Sequence, residues 1–209
     1  VVSFVLTNGG CVNTQATNEF PPEGSLETPE VLRALARAHR YLGELKGTAK
    51  TIPNENLLVS TLSLQEAQSS SEIENIITTQ DALYRHRIQP ESADPVSKEV
   101  AWYAHGLDRG FQAVRCTGLL TLNTIKEVQA VLEGNDAGFR RTPGTVLRNE
   151  QTGAVVFEPP SPERIPDLMG ALEQYMHAEG ALDDPLVRMA VIHHQFETIH
   201  PFYDGNGRT

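Results

Sequence analysis

The segment Asp184-Pro-Leu-Val-Arg-Met-Ala-Val-Ile-His-His-Gln-Phe-Glu-Thr-Ile-His-Pro-Phe-Tyr-Asp-Gly-Asn-Gly-Arg-Thr209 divides into a helix and a turn. Asp184 is suited to cap a helix and Pro185 to occupy its first position. Leu186, Met189, Ala190, His193 and Phe196 then recur at helical spacing, which predicts a helix over 185–197. Pro201 biases His200 away from the helical region and supplies no N–H, so the helix ends by His200 and that residue sits on the exit turn.

Within the ten residues 200–209 stand an imidazole, a carboxylate, an amide between two glycines, and a guanidinium. His200 can take a proton near neutral pH. Asp204 is a hard oxygen ligand of the kind Mg2+ prefers. Gly205 and Gly207 allow successive backbone N–H groups to point into one concavity and hold an anion. Arg208 stays charged and can fork onto phosphate oxygens. A second helix beginning near Arg208 would add its macrodipole to the same place.

Read as His-x-Phe-x-Asp-Gly-Asn-Gly-Arg, this turn resembles the signature of the Fic family, whose best-known members transfer AMP from ATP to a hydroxyl of a target protein. The resemblance implies an all-α, Fic-type helical bundle. It implies His200 as the general base, Asp204 as the Mg2+ ligand, Gly205, Asn206, Gly207 and Arg208 on the nucleotide, and Phe202 anchoring the loop. The family motif usually continues to a second arginine two residues beyond Thr209. On that basis the chain is expected to be cut just after the signature.

A second match lies upstream. Ser70-Ser-Ser-Glu-Ile-Glu74-Asn75 fits Ser/Thr-x-x-x-Glu-Gly/Asn, which is similar to the inhibitory helix of Fic proteins that carry their own brake on the N-terminal side. The resemblance implies that Glu74 reaches into the nucleotide site, occupies the space of the terminal phosphate and pairs with an arginine. Independently of the family, Ser63 and Glu66 read as a capping box ahead of Leu64, Ala67, Ser71 and Glu74. Ser70 and Glu74 then lie one turn apart on the same face, where the hydroxyl can hold the carboxylate.

Composition bounds the alternatives. Seventeen basic against 27 acidic residues give a net charge of −10, which argues against a nucleic-acid surface. The two cysteines, Cys11 and Cys116, are too few and too far apart for a disulfide framework or a metal cluster, and read as free thiols in a reducing compartment. The apolar opening from Val1 to Leu6 is too short to cross a membrane, so the expected location is cytoplasmic.

Along the chain, residues 1–27 are expected to be an extended leader, 28–93 a helical region carrying the inhibitory motif, and 94–209 the catalytic core. Thr28-Pro29 opens a helix whose stripe Leu32, Leu35, Ala36, His39, Leu42 and Leu45 is closed by Gly47. Residues 51–60 read as a proline-containing connector before the Glu74 helix. Asp94-Pro95 starts a helix towards Arg115, another spans 122–132, and a third runs over 166–178. Two β-prone runs, 145–148 and 154–157, flank a turn containing Gly153 and predict a hairpin. In Fic proteins resembling this chain, such a flap pairs by its free edge with the target.

The remaining candidates carry less. His193 and His194 project about 100 degrees apart on a helix and do not readily share one ion with His200. His193 is expected as a packed core histidine, and Met169, Met176 and Met189 as core fillers. Lys46, Lys50 and the Arg85-His86-Arg87 run read as solvated charge.

The expected activity is a Mg2+-dependent protein adenylyltransferase that moves AMP from ATP to a Ser, Thr or Tyr hydroxyl, restrained by Glu74. The alternatives are AMP removal, transfer of another phosphate-containing group, or an inactive nucleotide-dependent interaction module. The expected partners are ATP and a target protein on the flap, without nucleic acid or membrane, and a homodimer is compatible with this reading.

Overall fold

The structure is a computed structural model that describes residues 26–73, 75–89, 94–149, 152–178 and 184–209. Residues 1–25 of the predicted leader, Cys11 among them, and Glu74 lie outside the described residues. Seven helices are described: α1 Pro29–Ala49, α2 Glu55–Ile73, α3 Gln80–Ile88, α4 Pro95–Thr117, α5 Leu122–Glu133, α6 Ile165–Met176 and α7 Pro185–Ile199. A two-stranded antiparallel hairpin, β1 Leu147–Arg148 and β2 Val155–Phe157, separates α5 from α6. The predicted mostly helical class with one hairpin is the observed one.

Helix starts follow local chemistry closely. Thr28, Thr79, Asp94, Thr121 and Asp184 each accept a backbone N–H of the first turn through the side chain. This satisfies donors that have no intrahelical partner. Gly118 and Gly134 close α4 and α5 in the left-handed conformation, where a residue without Cβ meets no steric penalty.

Two apolar clusters hold α2 to α7 together. Ala67 of α2, Leu83 of α3, Val100 and Tyr103 of α4, and Val128 and Leu132 of α5 form one. Ile125 of α5, Ile165, Leu168, Met169 and Leu172 of α6, and Phe196, Ile199 and Phe202 of the α7 region form the other. Helix α5 belongs to both. Its N-terminal half faces α6 and its C-terminal half faces α4, and it ends at Glu133 beside the signature turn.

Several expectations are corrected. Helix α2 begins at Glu55, so the connector expected over 51–60 is shorter, and Ser63 and Glu66 lie inside the helix rather than at its cap. Ser63 Oγ donates to the carbonyl of Val59 one turn back, at 2.9 Å, a bond a mid-helix serine can make. Helix α3 has no counterpart among the predicted elements. Helix α1 runs two residues past Gly47, lines a groove with α7, and has no buried residue among the described residues. Its Leu32, Leu42 and Leu45 are exposed, and His39 is not at a core edge. Its Nε2 lies 2.6 Å from Asp184 Oδ2. His193 and Met189 face outward on α7, while Met169 is fully buried and Met176 packs against the same cluster.

Candidate active site

Helix α7 ends where Pro201 dictates, and His200 becomes its C-cap with φ 49 and ψ 60. A non-glycine residue takes this left-handed conformation only where the surroundings hold it there. The surroundings are explicit. Phe202 is fully buried, with its ring 5.4 Å from that of Phe139 and 6.2 Å from that of Phe196. Asn206, 3% exposed, accepts the Phe202 N–H at 2.8 Å and donates to the Phe202 carbonyl at 3.0 Å, so its amide closes the loop on itself.

The His200 imidazole is half-buried, and its pKa is held below the ordinary 6.5. Burial is the first cause, because it disfavours the charged ring, and the positive charge of Arg140 is the second. A backbone bond involving Glu197 and the charge of Asp204 act in the opposite sense. The ring is therefore kept in the neutral form that can accept a proton at neutral pH.

Beyond the imidazole, Asp204 is exposed and accepts the Gly205 N–H at 2.8 Å. Gly205 has φ 72, a backbone conformation that favours glycine, and a Cβ placed there would press on the Glu133 carboxylate, which would have to shift. Asn206–Arg208 form a 3₁₀ turn that opens at Gly205. The amides that open such a turn have no acceptor within it, and here they belong to Asn206 and Gly207.

Arg208 is 5% exposed and is held by carboxylates. Nη1 donates to Glu99 Oε1 at 2.9 Å and Nη2 to Glu133 Oε1 at 3.0 Å. The Glu133 carboxyl is pushed above its ordinary range, foremost by burial and further by Asp204 and Glu99, with Arg208 opposing. The donors that hold these carboxylates are of the forked kind that phosphate oxygens also accept from.

The structure thus brings His200, Asp204, Gly205, Asn206, Gly207 and Arg208 into one loop. Ser70, on α2, donates to Glu66 Oε1 at 3.0 Å, one turn back. Glu74, its expected partner, lies outside the described residues. Asn75 takes φ 63, a conformation Asn and Gly tolerate best, which accounts for the Gly/Asn choice at that place in the pattern.

Three residues of the site escaped the sequence reading: Arg140, Glu99 and Glu133. Arg140 reaches the turn across 60 residues, and Glu99 and Glu133 reach Arg208 across 109 and 75. A signal for Glu133 existed. A carboxylate directly before Gly134, at the C-terminal end of a helix, opposes the helix dipole and so calls for a compensating cation.

Comparison with known proteins agrees with this geometry. Residues 32–112 match the Fic/DOC family N-terminal region, and residues 119–209 match the Fic/DOC family itself. A protein adenylyltransferase fic-1 from Caenorhabditis elegans is 29% identical over 115 residues, covering 50% of this chain and 21% of the relative. A probable protein adenylyltransferase from Aquifex aeolicus is 42% identical over 53 residues, 25% of this chain and 16% of the relative. The chain therefore spans a small part of the curated relatives it matches. The crystal structure of a Fic family protein from Desulfovibrio desulfuricans superposes with a TM-score of 0.69 at 23% identity, over 90% of this chain and 57% of that one. A Fic domain-containing signaling protein from Bacteroides thetaiotaomicron gives 0.64 at 25% identity, over 79% and 68%. No described helix is long and apolar enough to cross a membrane.

Proposed function

The chain belongs to the Fic/DOC family, and on that premise we propose that it works as a protein adenylyltransferase, moving AMP from ATP to a Ser, Thr or Tyr hydroxyl of a target protein. The observation that carries this reading is the pairing, within one loop, of a half-buried imidazole fixed at the end of α7 with a glycine-bounded turn that opens on backbone amides. His200 takes the proton of the incoming hydroxyl, whose oxygen attacks the α-phosphorus as pyrophosphate departs. The amides of Asn206 and Gly207 and the guanidinium of Arg208 receive the phosphate charge. Such stabilisation supplies more of the rate than the base, which typically contributes about 10²–10⁴-fold.

Asp204 is the residue that would hold Mg2+. Its exposed hard carboxylate fits that ion, which when bound neutralises phosphate charge. The target docks along the hairpin. Val155 and Val156 are half-exposed there, and an extended peptide can add to a strand edge through main-chain bonds alone. Glu74, placed by its motif, serves as the brake in this reading.

Incubation with ATP labelled at the α-phosphate, Mg2+ and cell extract tests the proposal. His200→Ala is expected to abolish labelling while leaving ATP affinity within about threefold, since the base acts on the hydroxyl rather than on the nucleotide. Parallel loss of ATP binding would remove the base assignment. The added mass on a modified target separates AMP from a phosphoryl or other group. Glu74→Gly is expected to raise transfer.

One observation favours a second reading, a nucleotide-dependent interaction module without transfer. Arg208 is already engaged by Glu99 and Glu133. Glu74→Gly that binds ATP yet labels no protein would support it.

A further inference from the structure

Arg140 lies between α5 and the hairpin and is 2% exposed. A buried guanidinium persists only where acceptors surround it. Here they are main-chain carbonyls. Nε donates to His200 O at 2.8 Å, and Nη2 to Pro160 O at 2.6 Å and to Ile199 O at 3.4 Å. The Arg140 backbone N–H donates to Pro201 O at 2.8 Å.

Three of these acceptors, Ile199, His200 and Pro201, are consecutive. Their carbonyls define the peptide planes on both sides of His200 and the one beyond, so binding all three fixes the backbone angles of His200 and with them the direction of its side chain. The left-handed conformation costs on the order of 1–3 kcal/mol and lasts only where neighbours over-determine it. Arg140 provides that constraint. It also serves the end of α7, where carbonyls lack intrahelical donors and the dipole is negative.

The fourth acceptor extends the argument. Arg140 precedes the hairpin in sequence and Pro160 follows it, so one side chain clamps the two ends of the excursion to each other and to the His200 turn. Tyr203 reinforces the same leg, its hydroxyl accepting the Arg141 N–H at 2.8 Å.

Resting on the reading of His200 as the base, we infer that Arg140 is the positioning residue for His200 and mechanically joins the root of the target-docking hairpin to the turn that carries the imidazole. A lysine cannot replace it, because one ammonium does not reproduce the planar fork that reaches separate carbonyls. The charged groups acting on the imidazole are Arg140 from the pre-hairpin loop and Asp204 from the signature turn.

The test compares the full chain with Arg140→Met and Arg140→Lys. Each protein is scored by the NMR titration of the His200 imidazole, by ATP affinity and by kcat for transfer. With Arg140→Met, the titration midpoint is expected to move upward, because a positive charge that disfavours the protonated ring is gone. ATP affinity stays within about threefold while kcat falls by about 10²-fold, the scale of a reacting group displaced by roughly an ångström. Arg140→Lys keeps the charge without the fork, so it should recover the titration midpoint but leave kcat about tenfold down.

A folded Arg140→Met with an unmoved midpoint and parent kcat overturns the inference. If Arg140→Met does not fold, Arg140→Lys with parent kcat overturns it as well. Failure of the underlying reading looks different. In that case His200→Ala retains transfer, whatever the imidazole titration does in the Arg140 variants.

Discussion

The signature turn has a buried arginine at each end, and the two are held in opposite ways. At the entry, Arg140 sits among carbonyl oxygens of Pro160, Ile199 and His200. At the exit, Arg208 sits between the carboxylates of Glu99 and Glu133. Carbonyl dipoles belong to the backbone and cannot be traded for a ligand, so the entry is permanent architecture. Side-chain carboxylates can rotate away when a competing anion arrives, so the exit is exchangeable. In the proposed mechanism the rigid end would carry the base and the exchangeable end the phosphate contact.

This contrast can be broken most severely at the entry. Arg140→Met strands buried carbonyls with little access to water, and at about 1–3 kcal/mol for each unsatisfied group it should cost about 3–5 kcal/mol, read by denaturant unfolding. Gly205→Ala comes next, at about 2–3 kcal/mol, since alanine is strained at φ 72 and its Cβ must displace the Glu133 carboxylate. A pH-independent loss below ~1 kcal/mol would show that the loop relaxes freely.

Arg208→Met should cost less than Arg140→Met, about 1–2 kcal/mol. Breaking a fully buried pair costs about 3–5 kcal/mol, but Glu99 is 44% exposed and rehydrates once its partner is gone. The reverse ranking of the two methionine variants would dissolve the distinction between the ends. Glu133→Gln releases Arg208 from one acid and should tighten ATP binding by up to about fivefold, the equivalent of ~1 kcal/mol, by calorimetry.

The smallest expected effect is in pH. Glu133 has a raised pKa in the fold, so the native state binds its proton more tightly than the unfolded chain does. Stability then falls as pH rises from the ordinary 4.5 towards that raised value. Glu133→Gln should flatten this decline, and an unchanged slope would assign it elsewhere. His200 has the opposite sign. Its depressed pKa contributes stability that is present above 6.5 and lost as pH falls below it.

The legibility of this chain follows the range of its interactions. Asp94-Pro95 and Asp184-Pro185 announced α4 and α7 because capping acts over three residues, and Gly134 closed α5 for the same reason. The signature turn was legible because its chemistry is contiguous. Ser63 and Glu66 misled because a capping pattern inside a longer helix looks the same in sequence, and only the start at Glu55 tells them apart. Helix α3 was hidden by weak amphipathicity among polar residues. His193 and Met189 follow the helical period, but α6 covers only one side of α7, so that period alone could not say which face is buried. Arg140, Glu99 and Glu133 act across long stretches of chain, where spacing carries no information.

Because α5 contributes Ile125 to one cluster and Val128 and Leu132 to the other, neither half of the protein can loosen without withdrawing a wall from its neighbour. Heating should therefore give one calorimetric peak that spans both clusters, with the van't Hoff enthalpy matching the measured heat.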